Sequence, residues 1–89
     1  MGLIVYKIEY VSSVKDDLKS ISKSDKEQIK KAIEKKLATN PIEFGKPLQY
    51  SLKGLRRLRV GNYRIIFKID EEEQTVLIVK IGHRKEVYD

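Results

Sequence analysis

The chain has 89 residues and carries a net charge of +6 with a pI near 9.6. This length supports one small domain, so we expect a single domain over residues 1–89. There is no cysteine and one histidine, which excludes disulfides and thiolate zinc sites, disfavours a histidine metal site and leads us to expect no cofactor. We find no secretory signal and no apolar run long enough to cross a bilayer, and we expect a cytoplasmic protein without membrane contact.

The positive charge is concentrated in the middle of the chain. Residues 1–43 hold nine lysines and seven acidic residues, and residues 70–89 hold three basic and six acidic residues. Residues 44–69 hold seven basic residues and no acidic residue. A localised basic block of this kind is typical of proteins that bind a polyanion or an acidic protein partner.

The first half of the chain is predicted to form a strand followed by two helices. The stretch Leu3–Tyr10 alternates as a strand does, and the residues Val11, Val14, Leu18 and Ile21 then recur at helical spacing, with Ser13 as a weak cap. In the second helix Ser24 is the predicted N-cap, paired with Glu27 in a capping box. Its buried stripe is Ile29, Ile33 and Leu37, and Asn40-Pro41 ends it. The short link between the helices predicts an antiparallel helix hairpin.

The second half is predicted to be a three-stranded antiparallel meander. Residues 41–51 read as irregular, and strands are expected at Leu52–Val60, Tyr63–Asp70 and Thr75–Ile81. Gly61-Asn62 and the acidic stretch "DEEEQ" supply the two turns. The predicted fold class is therefore α+β: an N-terminal strand, the helix hairpin and the meander, with the helices on one face of the sheet.

Alternation along the predicted strands separates two faces of the sheet. The face predicted to pack against the helices carries Leu58, Val60, Tyr63, Ile65, Phe67, Ile69, Leu77, Val79 and Ile81. The opposite face, called the open face below, carries Arg57, Arg59, Arg64, Ile66, Lys68, Val76, Ile78 and Lys80. Arg56 has the parity of the helix-covered face, so we expect it near a strand end or edge, or beside a bulge.

The basic residues of this region are the expected polyanion contacts. The arginine side chain presents a planar fork that can hold a phosphate through two hydrogen bonds, whereas lysine acts as a point charge. The residues predicted to bind RNA outside the catalytic set are Lys53, Arg56, Arg59, Lys68 and Lys80. A surface that only maintains solubility would explain the mixed Lys/Glu helices better than this acid-free block.

Two stretches, "LKGLRRLRVGNYRIIF" and "VKIGHRKEVYD", resemble the signature of the RelE/ParE toxin superfamily. The order of strand, two helices and meander also matches, and the resemblance covers nearly the whole chain. The pattern Gly-x-Arg followed by Val-Tyr is similar to the RelE branch, whose members are ribosome-dependent mRNA endonucleases paired with an antitoxin. The resemblance implies a toxin of a type II toxin–antitoxin system, with partners in a RelB-like antitoxin and in a ribosome holding mRNA in its A site.

The resemblance also implies a set of catalytic residues. Arg64 corresponds to the arginine placed on the scissile phosphate, Arg84 to the second catalytic arginine, and Tyr88 to the tyrosine that orients the substrate. Arg57 stands where these enzymes often have a catalytic lysine. A second lysine position is Leu55 here, which departs from the pattern.

Metal-independent RNA cleavage requires that the 2′-hydroxyl lose a proton, that the charge on the phosphate be balanced, and that the leaving 5′-oxygen gain a proton. Arginines suit the second task, and histidine is the side chain suited to proton transfer near neutral pH, so His83 is the candidate base or acid. Two alternatives remain open. One is a ParE-like toxin that inhibits DNA gyrase, and the other is a non-catalytic basic module that binds RNA or an acidic peptide.

Overall fold

The computed structural model describes residues 5–48 and 54–85. The elements, in chain order, are β1 (Lys7–Tyr10), α1 (Val14–Lys19), α2 (Lys23–Ala32), a π-helical turn (Ile33–Leu37), α3 (Pro41–Phe44), β2 (Lys46–Pro47), β3 (Arg56–Val60), β4 (Tyr63–Asp70) and β5 (Thr75–His83). The predicted α+β fold class and its order of elements are confirmed. The irregular segment that was expected after the helices contains α3 and the two-residue strand β2.

The strands form one sheet in the order β1-β5-β4-β3-β2. The strands β3, β4 and β5 are the predicted antiparallel meander, and the two predicted turns join them, with Gly61 and Gln74 at positive φ. In addition, β1 pairs with β5 in parallel, from Lys7 opposite Thr75 to Tyr10 opposite Ile78. The first half of the chain therefore contributes a strand to the same sheet as the meander.

The second helix of the hairpin begins at a different cap from the one predicted. The side chain of Ser22, and not that of Ser24, accepts the N–H of Asp25 at 3.2 Å. The prediction of Ser24 as the N-cap was therefore wrong, because the helix starts two residues earlier than predicted, at Lys23. At the start of α1, Ser13 makes no side-chain capping bond.

The core lies between the helices and one face of the sheet. Its buried residues are Val14, Ile21, Ile29, Ile33, Leu37, Leu58, Val60, Ile65, Phe67, Val76, Ile78 and Ile81. The predicted helical stripe of Ile29, Ile33 and Leu37 and the predicted faces of β3 and β4 are confirmed by this burial. Ile66 is also buried, but it belongs to the open face and lies outside the core cluster.

The strand β5 contains a β-bulge that shifts its alternation. Phe67 pairs with Ile78, whereas the preceding residue of β4, Ile66, pairs with Lys80, which leaves Val79 as the extra residue. On the turn side of the bulge Val76 and Ile78 are buried in the core, and beyond it Ile81 is buried. The predicted faces were therefore wrong for residues 76–78 and right for Lys80 and Ile81.

Candidate nucleic-acid interface

The basic residues of the open face form two rows across the strands. In the first row Lys46 of β2 pairs with Arg57 of β3, which pairs with Ile66 of β4. In the second row Arg59 of β3 lies directly opposite Arg64 of β4. Paired residues point to the same face of a sheet, and two residues of strand separate the rows by roughly 7 Å. Four cations thus lie close together on one surface, and these rows contain no acidic residue.

Lys46 was missed by the sequence analysis. It lies in the segment that was predicted to be irregular, and a residue outside a strand cannot be assigned to a face by alternation. The short strand β2 gives it a position beside Arg57. Only the acid-free composition of residues 44–69 pointed to it.

The second row continues toward the C-terminal part of the chain. Arg64 pairs with Gly82 of β5, which has no side chain to cover the arginine. The N–H of Arg84 donates to the carbonyl of Asn62 at 2.8 Å, so the register of the ladder extends one residue beyond Tyr63 and His83. Alternation then places Arg84 on the open face with Gly82 and Arg64. This register places Arg84 on the same surface as Arg57, Arg59 and Arg64.

His83 lies on the opposite side from these arginines. It pairs with Tyr63, and the two rings meet edge to face with centroids 5.8 Å apart. Tyr63 has the parity of the helix-covered face and donates through its hydroxyl to Asp25 of α2 at 3.0 Å. The expectation that His83 joins Arg64 as an acid or base is therefore not supported by the geometry. The reason is ordinary alternation beyond the bulge, since His83 follows the buried Ile81 by two residues and shares its face.

Arg56 points to the helix-covered face, as its parity predicted, and its contacts there explain how an arginine is accommodated. It is the first residue of β3, as expected for a strand end. Its Nη2 donates to the carbonyl oxygens of Ile42 at 2.9 Å and Gly45 at 2.7 Å. Its guanidinium therefore joins β3 to the end of α3 on the helix side, away from the face that carries Arg57 and Arg59.

Two lysines of the open face have acidic neighbours. The Nζ of Lys80 lies 3.6 Å from Oδ1 of Asp17, whose other oxygen accepts the N–H of Ile81 at 3.0 Å. This carboxylate occupies the edge of β5 beyond the last residue that pairs with β1, and it draws Lys80 toward that edge. Lys68 pairs with Leu77, whose other neighbour is Glu9 of β1. Lys80 continues the first row, because it pairs with Ile66, but its charge lies beside that of Asp17. Lys68 lies two residues further along β4, toward the acidic turn. Lys53 and Tyr88 lie outside the described residues.

The arrangement can neutralise and orient a phosphate backbone. Guanidinium groups grip phosphate oxygens in pairs and stay protonated at any physiological pH, so they stabilise developing negative charge but abstract protons poorly. Within residues 5–48 and 54–85, no three His, Asp or Glu side chains converge as metal ligands. The same part of the chain contains no helix that is both long and apolar enough to span a bilayer.

Comparison with known proteins gives the family. The model of the ParE toxin of the type II toxin–antitoxin system parDE matches residues 8–88. The chain belongs to this toxin family. The resemblance to the RelE/ParE superfamily that the two motifs indicated is thereby confirmed, and most of the match lies within the described fold.

Individual relatives are RelE-type toxins. Toxin RelG of Mycobacterium tuberculosis is 40% identical over 52 residues, which are 58% of this chain and 60% of RelG. Toxin RelE of the same organism is also 40% identical over 52 residues, covering 54% of its length, so the chain matches little more than half of each relative. Among solved structures, the toxin–antitoxin complex RelBE2 of M. tuberculosis superposes with a TM-score of 0.84 at 28% identity, covering 93% of this chain and 95% of that chain.

Proposed function

We propose that the protein is the toxin of a type II toxin–antitoxin system and that it acts as a metal-independent endoribonuclease on ribosome-bound mRNA. The observation that carries this proposal is the acid-free pair of rows that includes Arg57, Arg59 and Arg64, extended by Arg84. An arginine-rich sheet surface suits a phosphate backbone better than a small neutral ligand. The choice of mRNA as the substrate comes from the resemblance to the RelE branch, and the names of the relatives RelG and RelE agree with that branch.

In this proposal each arginine has a separate role in binding the RNA backbone or stabilising the reacting phosphate. Arg64 binds the scissile phosphate beside Gly82, and Arg57 holds the neighbouring part of the backbone. Arg84 balances the charge that develops as the 2′-oxygen attacks phosphorus and the bond to the 5′-oxygen breaks. Tyr88 remains the proposed side chain for orienting or stacking the nucleotide, as the resemblance implies.

The residues that pair with Arg64 across the sheet are Arg59 and Gly82, and neither is a histidine or a carboxylate. Such a site is poor at removing the proton from the 2′-hydroxyl, so its rate depends on holding the 2′-oxygen in line with the leaving oxygen. A ribosome that fixes the mRNA in its A site would supply that geometry. We therefore expect slow cleavage of free RNA and faster cleavage of ribosome-bound mRNA.

The proposed protein partner is an antitoxin of the RelB type. The similar M. tuberculosis structure is a toxin–antitoxin complex by its title. An acidic segment of such a partner would complement the two basic rows and would compete with RNA for them. We propose that the free toxin is a monomer and that the antitoxin inhibits it by covering the open face.

The test is RNA cleavage in a purified translation system, with the same mRNA free in solution as the comparison. We expect the wild-type protein to cut ribosome-bound mRNA and Arg64→Ala to lose about 100-fold or more of that rate, because a preorganised phosphate contact is gone. Arg64→Lys keeps the charge without the planar fork and should fall between the two. If the wild type leaves ribosome-bound mRNA intact where an active control toxin cuts it, the endoribonuclease proposal fails.

Inhibition of DNA gyrase is the second candidate function. The matching family model describes a ParE toxin, and Leu55 stands where RelE-like enzymes have a lysine. A supercoiling assay separates the two candidates, because a gyrase inhibitor blocks supercoiling and leaves mRNA uncut. A non-catalytic module would do neither, and Arg84→Ala would then change RNA binding only slightly.

A further inference from the structure

A chain of contacts connects helix α2 to the turn that carries Arg84. It runs from Asp25 through Tyr63 and His83 to the backbone of Lys85. We propose that this chain positions Arg84 on the open face and that His83 is its central positioning residue. The inference rests on the proposed function for its activity readout, and it assigns His83 a role that differs from acid–base catalysis.

The first contact anchors Tyr63 to the helix hairpin. The Tyr63 hydroxyl donates to Oδ2 of Asp25 at 3.0 Å, in partly buried surroundings. Asp25 is itself fixed near the start of α2, because its N–H donates to the capping side chain of Ser22. The Tyr63 ring is thus held at the end of β4 by an element from the other layer of the fold.

The second and third contacts pass through the imidazole of His83. On one side, the imidazole ring packs edge to face on the ring of Tyr63, at an interplanar angle of 77°. On the other side, Nδ1 of His83 accepts the N–H of Lys85 at 3.2 Å. A side-chain acceptor that binds the N–H two residues later has the geometry of an Asx turn, which reverses the chain locally.

Arg84 lies between the two ends of this arrangement. The N–H of Arg84 donates to the carbonyl of Asn62. The preceding residue, His83, packs on Tyr63, and the N–H of the following residue, Lys85, donates to Nδ1 of His83. Three consecutive residues are therefore fixed while the Arg84 side chain remains exposed. A long side chain on a fixed backbone reaches its phosphate with less loss of conformational entropy than one on a mobile tail.

Two substitutions of His83 separate its ring from its hydrogen-bond acceptor. His83→Asn keeps an acceptor for Lys85 N–H through an Asx turn but loses the aromatic contact. His83→Phe keeps the aromatic contact and loses the acceptor. We expect His83→Asn to retain cleavage of ribosome-bound mRNA within about twofold of wild type and His83→Phe to lose about threefold to tenfold, the factor of one neutral hydrogen bond. Thermal stability should show the reverse order, with the Phe variant above the Asn variant.

Each other pattern of cleavage rates overturns the inference. If both variants lose about 100-fold or more, His83 acts as an acid or base, since that is the size of a lost general catalyst. If His83→Phe cuts as fast as wild type, the bond to Lys85 has no role in positioning Arg84. A rate that simply follows the thermal stability of the variants would indicate a structural contribution alone.

A second readout remains informative even if the wild type cuts no mRNA. Amide hydrogen exchange at Lys85 should be slowed in the wild type and in His83→Asn and should be fast in His83→Phe. Equal exchange in all three proteins would show that His83 does not fix this turn. Absence of cleavage with the expected exchange pattern would contradict the proposed function and leave the positioning of Arg84 supported.

Discussion

Gly45 occupies a position in which any side chain would collide with the core. A Cβ at this residue would lie 2.8 Å from Cε1 of Phe67 and 2.9 Å from the carbonyl oxygen of Pro41. The Gly45 φ of −96° is accessible to every residue, so the requirement for glycine is steric. Phe67 is fully buried and cannot move away without disturbing its neighbours. We predict that Gly45→Ala lowers the free energy of unfolding by about 1–3 kcal/mol, measured by urea denaturation.

A double-mutant cycle with Phe67→Leu checks this cause. Phe67→Leu alone should also destabilise the protein, but it removes the ring atoms that the new methyl group would meet. The double variant should therefore be less destabilised than the sum of the single variants, by about 1 kcal/mol. Strictly additive losses would show that the two residues do not meet in this way.

Single residues also show what alternation can and cannot predict. Arg57, Arg59 and Arg64 lie on strands with clear period-two patterns, and their common face was predicted correctly. Lys80 has the predicted parity, yet its side chain turns toward Asp17, a residue 63 positions earlier in the chain. Alternation assigns a face to a residue, but it contains no information about partners from another element.

At the level of elements, the cap of α2 provides a direct comparison of two serines. Ser22 accepts the N–H of Asp25, whereas Ser24 lies inside the first helical turn. We predict that Ser22→Ala lowers the free energy of unfolding by about 1 kcal/mol, because an N–H at the helix start loses its acceptor. Ser24→Ala is the matched control and should stay within about 0.5 kcal/mol of wild type. The opposite order in thermal denaturation would place the cap at Ser24.

The strand β5 shows why its faces could not be assigned in full from the sequence. Its core residues Val76, Ile78 and Ile81 are spaced by two and then by three positions. A regular strand cannot place all three on one side, and the bulge at Val79 resolves the conflict. Leu77 and Val79 are also strongly apolar, so the sequence fits unbroken alternation as well as it fits a bulge. Its exact place depends on the pairing with β4, which the sequence does not contain.

At the scale of the whole molecule, the open face has a gradient of charge. The rows of Arg57 and Arg59 lie toward the Gly61-Asn62 turn, and the acidic turn after Asp70 lies at the other end of β4. A polyanion is attracted to the first end and repelled from the second. In the proposed function, this gradient would direct RNA toward Arg64 and Arg84. The gradient follows from the order of basic and acidic blocks along the chain once the meander is known.

The measurement that tests the account most directly is mapping of mRNA 5′ ends by primer extension after overexpression in a bacterium. We predict new ends inside codons of translated messages with the wild type and none with Arg64→Ala or Arg84→Ala. Lys31→Ala, which removes an exposed lysine from the helix hairpin, should give the wild-type pattern. Growth arrest by the wild type without new mRNA ends, or ends that persist in both arginine variants, would contradict the assignment of the open face as a site of mRNA cleavage.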